Sequence, residues 1–164
     1  VVTMLLLVGS SPALAVDGDG RRHTPAWRSL AYRIPTELRG ARVAIELVAV
    51  DEGRIVGHVL FSRMSCDPPM LVAALGPVSV DPGRQKSGVG GAMIREGLER
   101  CRALGAQASL VLGHTEYYPR FGYSHAAVAE VASPYAASPA FMGLALTTGA
   151  LDAPLKADYP AAFG

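Results

Sequence analysis

Little in this sequence points to a metal, a nucleic acid or a membrane. Its 164 residues hold two cysteines, Cys66 and Cys101, without the paired spacing of a zinc site. They read as free thiols of a reducing compartment, with a disulfide as the lesser alternative. Four scattered histidines include no His-Glu-x-x-His. No metal is therefore expected. The formal net charge is +1, so there is no electrostatic footprint for nucleic acid or an acidic membrane surface. No apolar run reaches the length of a membrane span. Gly-x-x-x-x-Gly-Lys-Ser/Thr is absent, which excludes a nucleotide-triphosphate loop. The dinucleotide fingerprint fails as well, since Gly88 and Gly90 are followed by Met93 where a third glycine belongs. There are no internal repeats and no low-complexity segments. What is present is a chain that is 50% hydrophobic, enough for one domain over residues 1–164 with a real core.

The informative stretch runs from Val78 to Leu98. An apolar run, Leu71 to Val80, ends at the turn signal Asp81-Pro82-Gly83. The basic, glycine-rich segment Arg84-Gln85-Lys86-Ser87-Gly88-Val89-Gly90-Gly91 follows. A helical period then places Val89, Ala92, Met93, Leu98, Cys101 and Leu104 on one face. The reading is strand, loop, helix. The first turn of a helix leaves backbone N–H groups unpaired at its positive end, and glycines let a bulky anion approach them. Such a loop suits phosphate, with Arg84 and Lys86 adding charge at the rim. The plain structural alternative is a βα turn whose glycines serve packing.

Val80, Pro82, Gln85, Gly88 and Gly90 spell Val-x-Pro-x-x-Gln-x-x-Gly-x-Gly. This resembles the acyl-CoA-binding motif of the GNAT superfamily of N-acetyltransferases, with its preceding strand and following helix. Downstream, Tyr117-Tyr118-Pro119-Arg120-Phe121-Gly122-Tyr123 is similar to that family's aromatic-Tyr-x-x-x-Gly-aromatic segment. The resemblance covers about residues 46–146. It implies an α/β fold with a mixed, mostly antiparallel twisted sheet flanked by helices. It implies acetyl-CoA as cosubstrate, with its pyrophosphate on Gln85, Lys86, Ser87, Gly88, Val89, Gly90 and Gly91. It also implies a pantetheine arm along the open edge of Val78, Ser79 and Val80, and a splay of that strand from its neighbour. Tyr118 would protonate the leaving thiolate; packing without chemistry is the alternative. Arg120 would meet the nucleotide phosphates or simply face solvent.

Along the rest of the chain, Ile45–Val50 and Ile55–Phe61 read as a hairpin around Glu52-Gly53. Arg63–Pro69 reads as a loop. Gly76-Pro77 interrupts the next strand and invites a bulge. The helix stops at Gly105, and Ala108–Leu112 returns as a strand parallel to the one before it. Tyr117–Phe121 reads as a short helix, with a strand from about Tyr123. Ala140–Leu146 reads as the last strand, and the residues from Ala150 onward as a surface tail. The amino end is atypical for the family over residues 1–42. Residues 1–15 have the shape of a secretory signal without its basic start; a strand over Thr3–Val8 is favoured. Ala26–Leu38, punctuated by Pro25 and Pro35, is open to a helix. The acceptor-side pattern of the family is not found here.

The resemblance implies acetyl transfer to a primary amine of a small molecule, peptide or protein by direct attack, in the cytoplasm, without nucleic acid or membrane partners. The exposed last strand makes a homodimer possible. No general base stands out: His114 and Glu116 lie near Tyr118, and His58 reads as a packed or hydrogen-bonded strand histidine rather than a base. Two other readings stay open. One is a non-catalytic acyl-CoA-binding or protein-interaction module on the same fold. The other, more distant, is a nucleophilic Cys66 served by His58.

Overall fold

The computed structural model describes residues 43–160 continuously and, before them, the backbone of 6–8, 15–16, 22–23 and 29–33. Four short strands come first: β1 (Leu6–Val8), β2 (Ala15–Val16), β3 (Arg22–His23) and β4 (Ser29–Arg33). The long hairpin β5 (Val43–Asp51) and β6 (Arg54–Arg63) follows, then β7 (Ser65–Asp67) and β8 (Val72–Val80). Helix α1 (Val89–Ala103) leads into β9 (Ala108–Leu112), β10 (Val131–Ala132), β11 (Phe141–Ala145) and β12 (Leu155–Asp158). The main sheet has seven strands in the order β1-β4-β5-β6-β8-β9-β11. All its pairs are antiparallel except β8 with β9, which α1 joins as a crossover. This is the mixed, mostly antiparallel α/β sheet expected.

The β5–β6 turn is Glu52-Gly53, with φ of 48° and 77°. Both residues are left-handed, as the tight hairpin turn that matches strand twist requires. α1 buries Val89, Met93, Ile94, Gly97, Leu98 and Cys101 against the sheet. Leu104 does not join that face: it caps the helix end and is exposed. Gly97 has a packing reason. A Cβ there would lie 2.1 Å from Cε2 of Phe61 on β6. Gly57 gives room in the same way to Met93 and Val89.

Odd positions of β5 and β6 (Ile45, Leu47, Ala49, Val59, Phe61) pack with α1. A second cluster on the other face joins Val72, Ala74, Ala108, Leu110 and Phe141 to Val131, Leu151, Leu155 and Ala157. This overturns two readings. The residues after Ala150 are not a mere surface tail: Leu155 and Ala157 alternate inward on β12, which pairs with β10 and β7 in a separate three-stranded sheet. Part of the expected Arg63–Pro69 loop is β7, drawn into order by that pairing. Nor does a strand start at Tyr123. A single bridge joins Ser124 to Gly143, and a 3-10 turn over Ala126–Val128 follows.

Nearer the start, Ser29–Arg33 is strand rather than helix. Pro25 and Pro35 leave a window too short for a stable helix, and its backbone instead pairs with β1 and β5. β1 occupies the end of the expected Thr3–Val8 strand, while Thr3–Leu5 and most of the signal-like stretch lie outside the described residues.

Candidate functional site

Two features set β8 apart from β9. Leu60 on β6 faces both Gly76 and Pro77, because the register passes from Phe61–Leu75 to Val59–Val78. This is the expected bulge. Gly76 takes φ of 146°, which residues with side chains avoid, and Pro77 has no N–H to offer a ladder. Pairing with β9 ends at Leu75. From Val78 to Val80, β8 pairs with β6 alone. Asp81 donates its N–H to Val56 O at 2.9 Å, so strand alternation turns the backbone groups of Ser79 toward β6 and those of Val78 and Val80 to the open side. Gln85 Nε2 donates to Val80 O at 3.3 Å, which ties the loop back to that edge.

The loop is built from its own hydrogen bonds. Asp81 Oδ1 accepts from Gly83 N at 2.8 Å and caps the 3-10 turn Pro82–Arg84, and Ser87 Oγ donates to Arg84 O at 2.5 Å. Gly88 has φ of 86° and opens α1 without a side-chain cap. The first helical bond runs from Ala92 N to Gly88 O at 3.0 Å. The amides of Val89, Gly90 and Gly91 therefore have no helical acceptor, and they point out of the end where the helix dipole is positive.

Arg84 departs from expectation. Its guanidinium meets the buried carboxylate of Asp51, at the end of β5, at 2.5 Å. Its charge is spent on anchoring the loop to the hairpin. Lys86, exposed at φ of 60°, keeps the rim position. Asp51→Ala should lower stability by about 2 kcal/mol in urea titration, because it leaves a half-buried guanidinium without its partner. Unchanged stability would mean that the pair is only a surface contact.

The aromatic segment lies beside the unpaired end of β8. Tyr118 begins a 3-10 turn, Tyr118–Phe121, and Gly122 ends it with φ of 92°. The Tyr118 ring is buried against Gly113, just past β9, where a Cβ would lie 2.2 Å from its Cε2. It meets Tyr117 and Tyr123 edge-on, at centroid distances of 5.3 and 6.0 Å. Burial, with a smaller push from Tyr117, raises the Tyr118 pKa, so the phenol keeps its proton throughout the neutral range. Tyr117 reaches α1: a Cβ on Gly90 would lie 3.2 Å from the Tyr117 hydroxyl and 3.4 Å from Val80 Cγ2. The helix start, the end of β8 and the aromatic segment thus meet at one point. Arg120 stacks over Tyr117 at 4.5 Å, and Arg95 over Phe121 at 5.3 Å. Below the splay, Ser109 Oγ donates to Ala73 O at 2.9 Å and lies 2.7 Å from the Tyr123 hydroxyl, which bonds β9 to β8 where their pairing persists.

One pair escaped the sequence reading. His58 Nε2 lies 2.9 Å from Glu46 Oε1, across β5 and β6, on the face opposite α1. A regular two-residue hairpin would set His58 opposite Leu47 on the core face. The register slips at Val56, between the Val50–Ile55 and Ala49–Gly57 pairs, and sets His58 opposite Val48 instead. Nothing in the sequence marks that bulge. The alternation of Glu46 among Ile45, Leu47 and Ala49 was the one available signal. His114 and Glu116 are exposed, and the His114 carbonyl accepts from Tyr117 N and Tyr118 N. Cys66 is on β7, in the other sheet from His58, and burial raises its thiol pKa. Cys101 lies inside the α1 core with its pKa pushed up to about 12, chiefly by burial. Neither is a thiolate nucleophile. Among the described residues no three His, Cys, Asp or Glu side chains converge to hold a metal, and no helix is long and apolar enough to cross a membrane.

Comparison with known proteins fits this geometry. The profile of the Acetyltransferase (GNAT) domain matches residues 41–126. The uncharacterized N-acetyltransferase YjhQ of Escherichia coli K12 is 46% identical over 90 residues, which are 53% of this chain and 50% of that one. YhbS of the same strain is 32% identical over 87 residues, 52% of each chain. The chain thus spans about half the length of the curated relatives it matches. The crystal structure of Escherichia coli YhbS in complex with CoA superimposes with a TM-score of 0.68 at 26% identity, over 74% of this chain and 69% of that one. A GNAT family acetyltransferase from Brucella melitensis in complex with acetyl-CoA gives 0.58 at 36% identity, over 73% and 68%. By its fold and by the matched residues around the β8–α1 loop, the chain belongs to the GNAT family of acetyltransferases.

Proposed function

We propose that this chain transfers an acetyl group from acetyl-CoA to a primary amine of a small molecule, a peptide or a protein, by direct attack, as a single cytoplasmic domain. The observation that carries the reading is the unpaired edge of β8, where Val78 and the Val80 N–H have no ladder partner, beside a helix whose first amides are unpaired. An extended amide-containing arm suits such an edge as an added strand would. A pyrophosphate suits the amides of Val89, Gly90 and Gly91. The CoA and acetyl-CoA complexes of the two structural relatives support the same donor.

In this reading Gln85 through Gly91 hold the donor's phosphates, with Lys86 at the rim. Val78, Ser79 and Val80 align its arm. The Val78 N–H polarises the thioester carbonyl and stabilises the oxyanion that forms as the amine attacks. The Tyr118 hydroxyl gives its proton to the departing sulfur. Mixing the protein with acetyl-CoA and a panel of primary amines, and following free thiol together with product mass, tests the proposal. An N-acetylated product is expected. Tight acetyl-CoA binding without transfer to any amine would instead identify a non-catalytic acyl-CoA module.

A further inference from the structure

We propose that His58, held by Glu46, is the base that takes the proton of the acceptor ammonium, and that the amine enters from the sheet face opposite α1. This rests on the acetyl-transfer reading and supplies the group it lacked.

The α1 face of the splay is closed by packing: Val78 and Val80 lie against the core that α1 covers, together with Tyr117 and Phe121. The opposite face carries a row of polar groups across three strands. Glu46 on β5 bonds His58 on β6, and His58 stands directly opposite Ser79 on β8. Opposed residues on paired strands hold their Cβ atoms roughly 5 Å apart. Ser79 is the central residue of the segment whose far edge is open. The row therefore leads from a nearly buried carboxylate, 12% exposed, through an imidazole that is 29% exposed, to the strand along which the thioester would lie.

The other acids and imidazoles of this region are engaged elsewhere or exposed. Asp51 holds Arg84, Asp81 caps its turn, and His114 and Glu116 are exposed on the loop after β9. With Glu46 ionised, Nε2 carries the hydrogen and donates it to the carboxylate. Nδ1 is left with the lone pair. The carboxylate then stabilises the imidazolium that forms, as a carboxylate behind a catalytic histidine does.

The step balances. Nδ1 takes one proton from R-NH3+, directly or through one water, and passes it to solvent. The freed amine nitrogen bonds to the carbonyl carbon, and the carbon–sulfur bond breaks. Tyr118 protonates the thiolate and recovers a proton from the new amide nitrogen. The products are the N-acetyl amine and the free thiol.

The test measures acetyl transfer to spermidine, tyramine and a lysine-containing peptide. Wild type is compared with His58→Ala, His58→Gln and Glu46→Gln, and acetyl-CoA affinity is measured by calorimetry for each. His58→Ala should lower kcat roughly 100-fold with acetyl-CoA affinity unchanged, and added imidazole should restore part of the rate. Glu46→Gln should lose about 10-fold. If His58→Ala does not fold, His58→Gln carries the same expectation without the rescue. Full kcat in either folded His58 variant overturns the inference and leaves the acetyltransferase reading intact. Wild type that binds acetyl-CoA and acetylates none of the amines overturns that reading, and the inference with it.

Discussion

Tyr118→Phe should lower kcat by roughly 100-fold while leaving acetyl-CoA affinity and folding nearly unchanged. The substitution removes one oxygen and keeps the ring. The contacts that hold the ring are with Gly113, Tyr117 and Tyr123, and none of them uses the hydroxyl. The hydroxyl has no hydrogen-bond partner among the described residues and is not sealed from solvent, so its loss strands no buried group. The chemistry alone should change. Because burial raises the Tyr118 pKa, the phenol stays protonated above the ordinary phenol value of about 10, and any loss of rate from its ionisation should appear only beyond that pH. Steady-state kinetics of Tyr118→Phe with calorimetry on the same protein checks both halves. Retained kcat would reduce Tyr118 to a packing residue.

Gly97→Ala should destabilise the fold by about 3 kcal/mol or more, against the sign that helix propensity gives. In an ordinary helix interior the same change gains about 1 kcal/mol. Here the added Cβ would sit 2.1 Å from Cε2 and 2.7 Å from Cζ of Phe61. Phe61 is fully buried between α1 and the sheet, so the ring has no free space to turn into. Either the helix lifts from the sheet or the ring leaves its place, and both lose packing across the same core. Chemical denaturation of the variant measures the effect. A companion Phe61→Leu change should recover much of the loss in the Gly97→Ala background, since it removes the atoms struck. Stabilisation by Gly97→Ala alone would mean that the close approach is not as described.

Much of the proposed donor half of the site was legible in the sequence, because it is written in glycine and proline. Asp81-Pro82-Gly83 stops the strand, Gly88 starts the helix, and Gly76-Pro77 makes the bulge opposite Leu60. Each of these residues does something that other residues do poorly, so each is readable without neighbours. The proposed acceptor side depends on register. The slip at Val56 moves His58 to the outer face beside Glu46, yet Val56 is an ordinary strand residue and announces nothing. Long-range pairing hid the rest. β7 and β12 are short segments ordered by long-range pairing, 91 positions apart in the Cys66–Ala157 pair, with β10 on the other side of β12. Arg84 was read from its neighbours in the loop, whereas its partner Asp51 comes from the far end of the β5–β6 hairpin.

The central claim is that the open edge of β8 and the first turn of α1 together hold acetyl-CoA. Calorimetric titration of wild type and Gly91→Asp with acetyl-CoA tests it most directly. Gly91 is better suited than Gly90, whose Cβ would push on Tyr117; at Gly91 the nearest atom is the flexible end of Arg95, at 3.3 Å. A carboxylate in the first turn of a helix favours the folded state by a few tenths of a kcal/mol up to about 1. It also places negative charge where the pyrophosphate would lie. The account predicts micromolar binding by wild type, and a variant at least as stable whose affinity falls about 100-fold or beyond detection. Binding by Gly91→Asp as tight as wild type, or no binding by folded wild type, would contradict it.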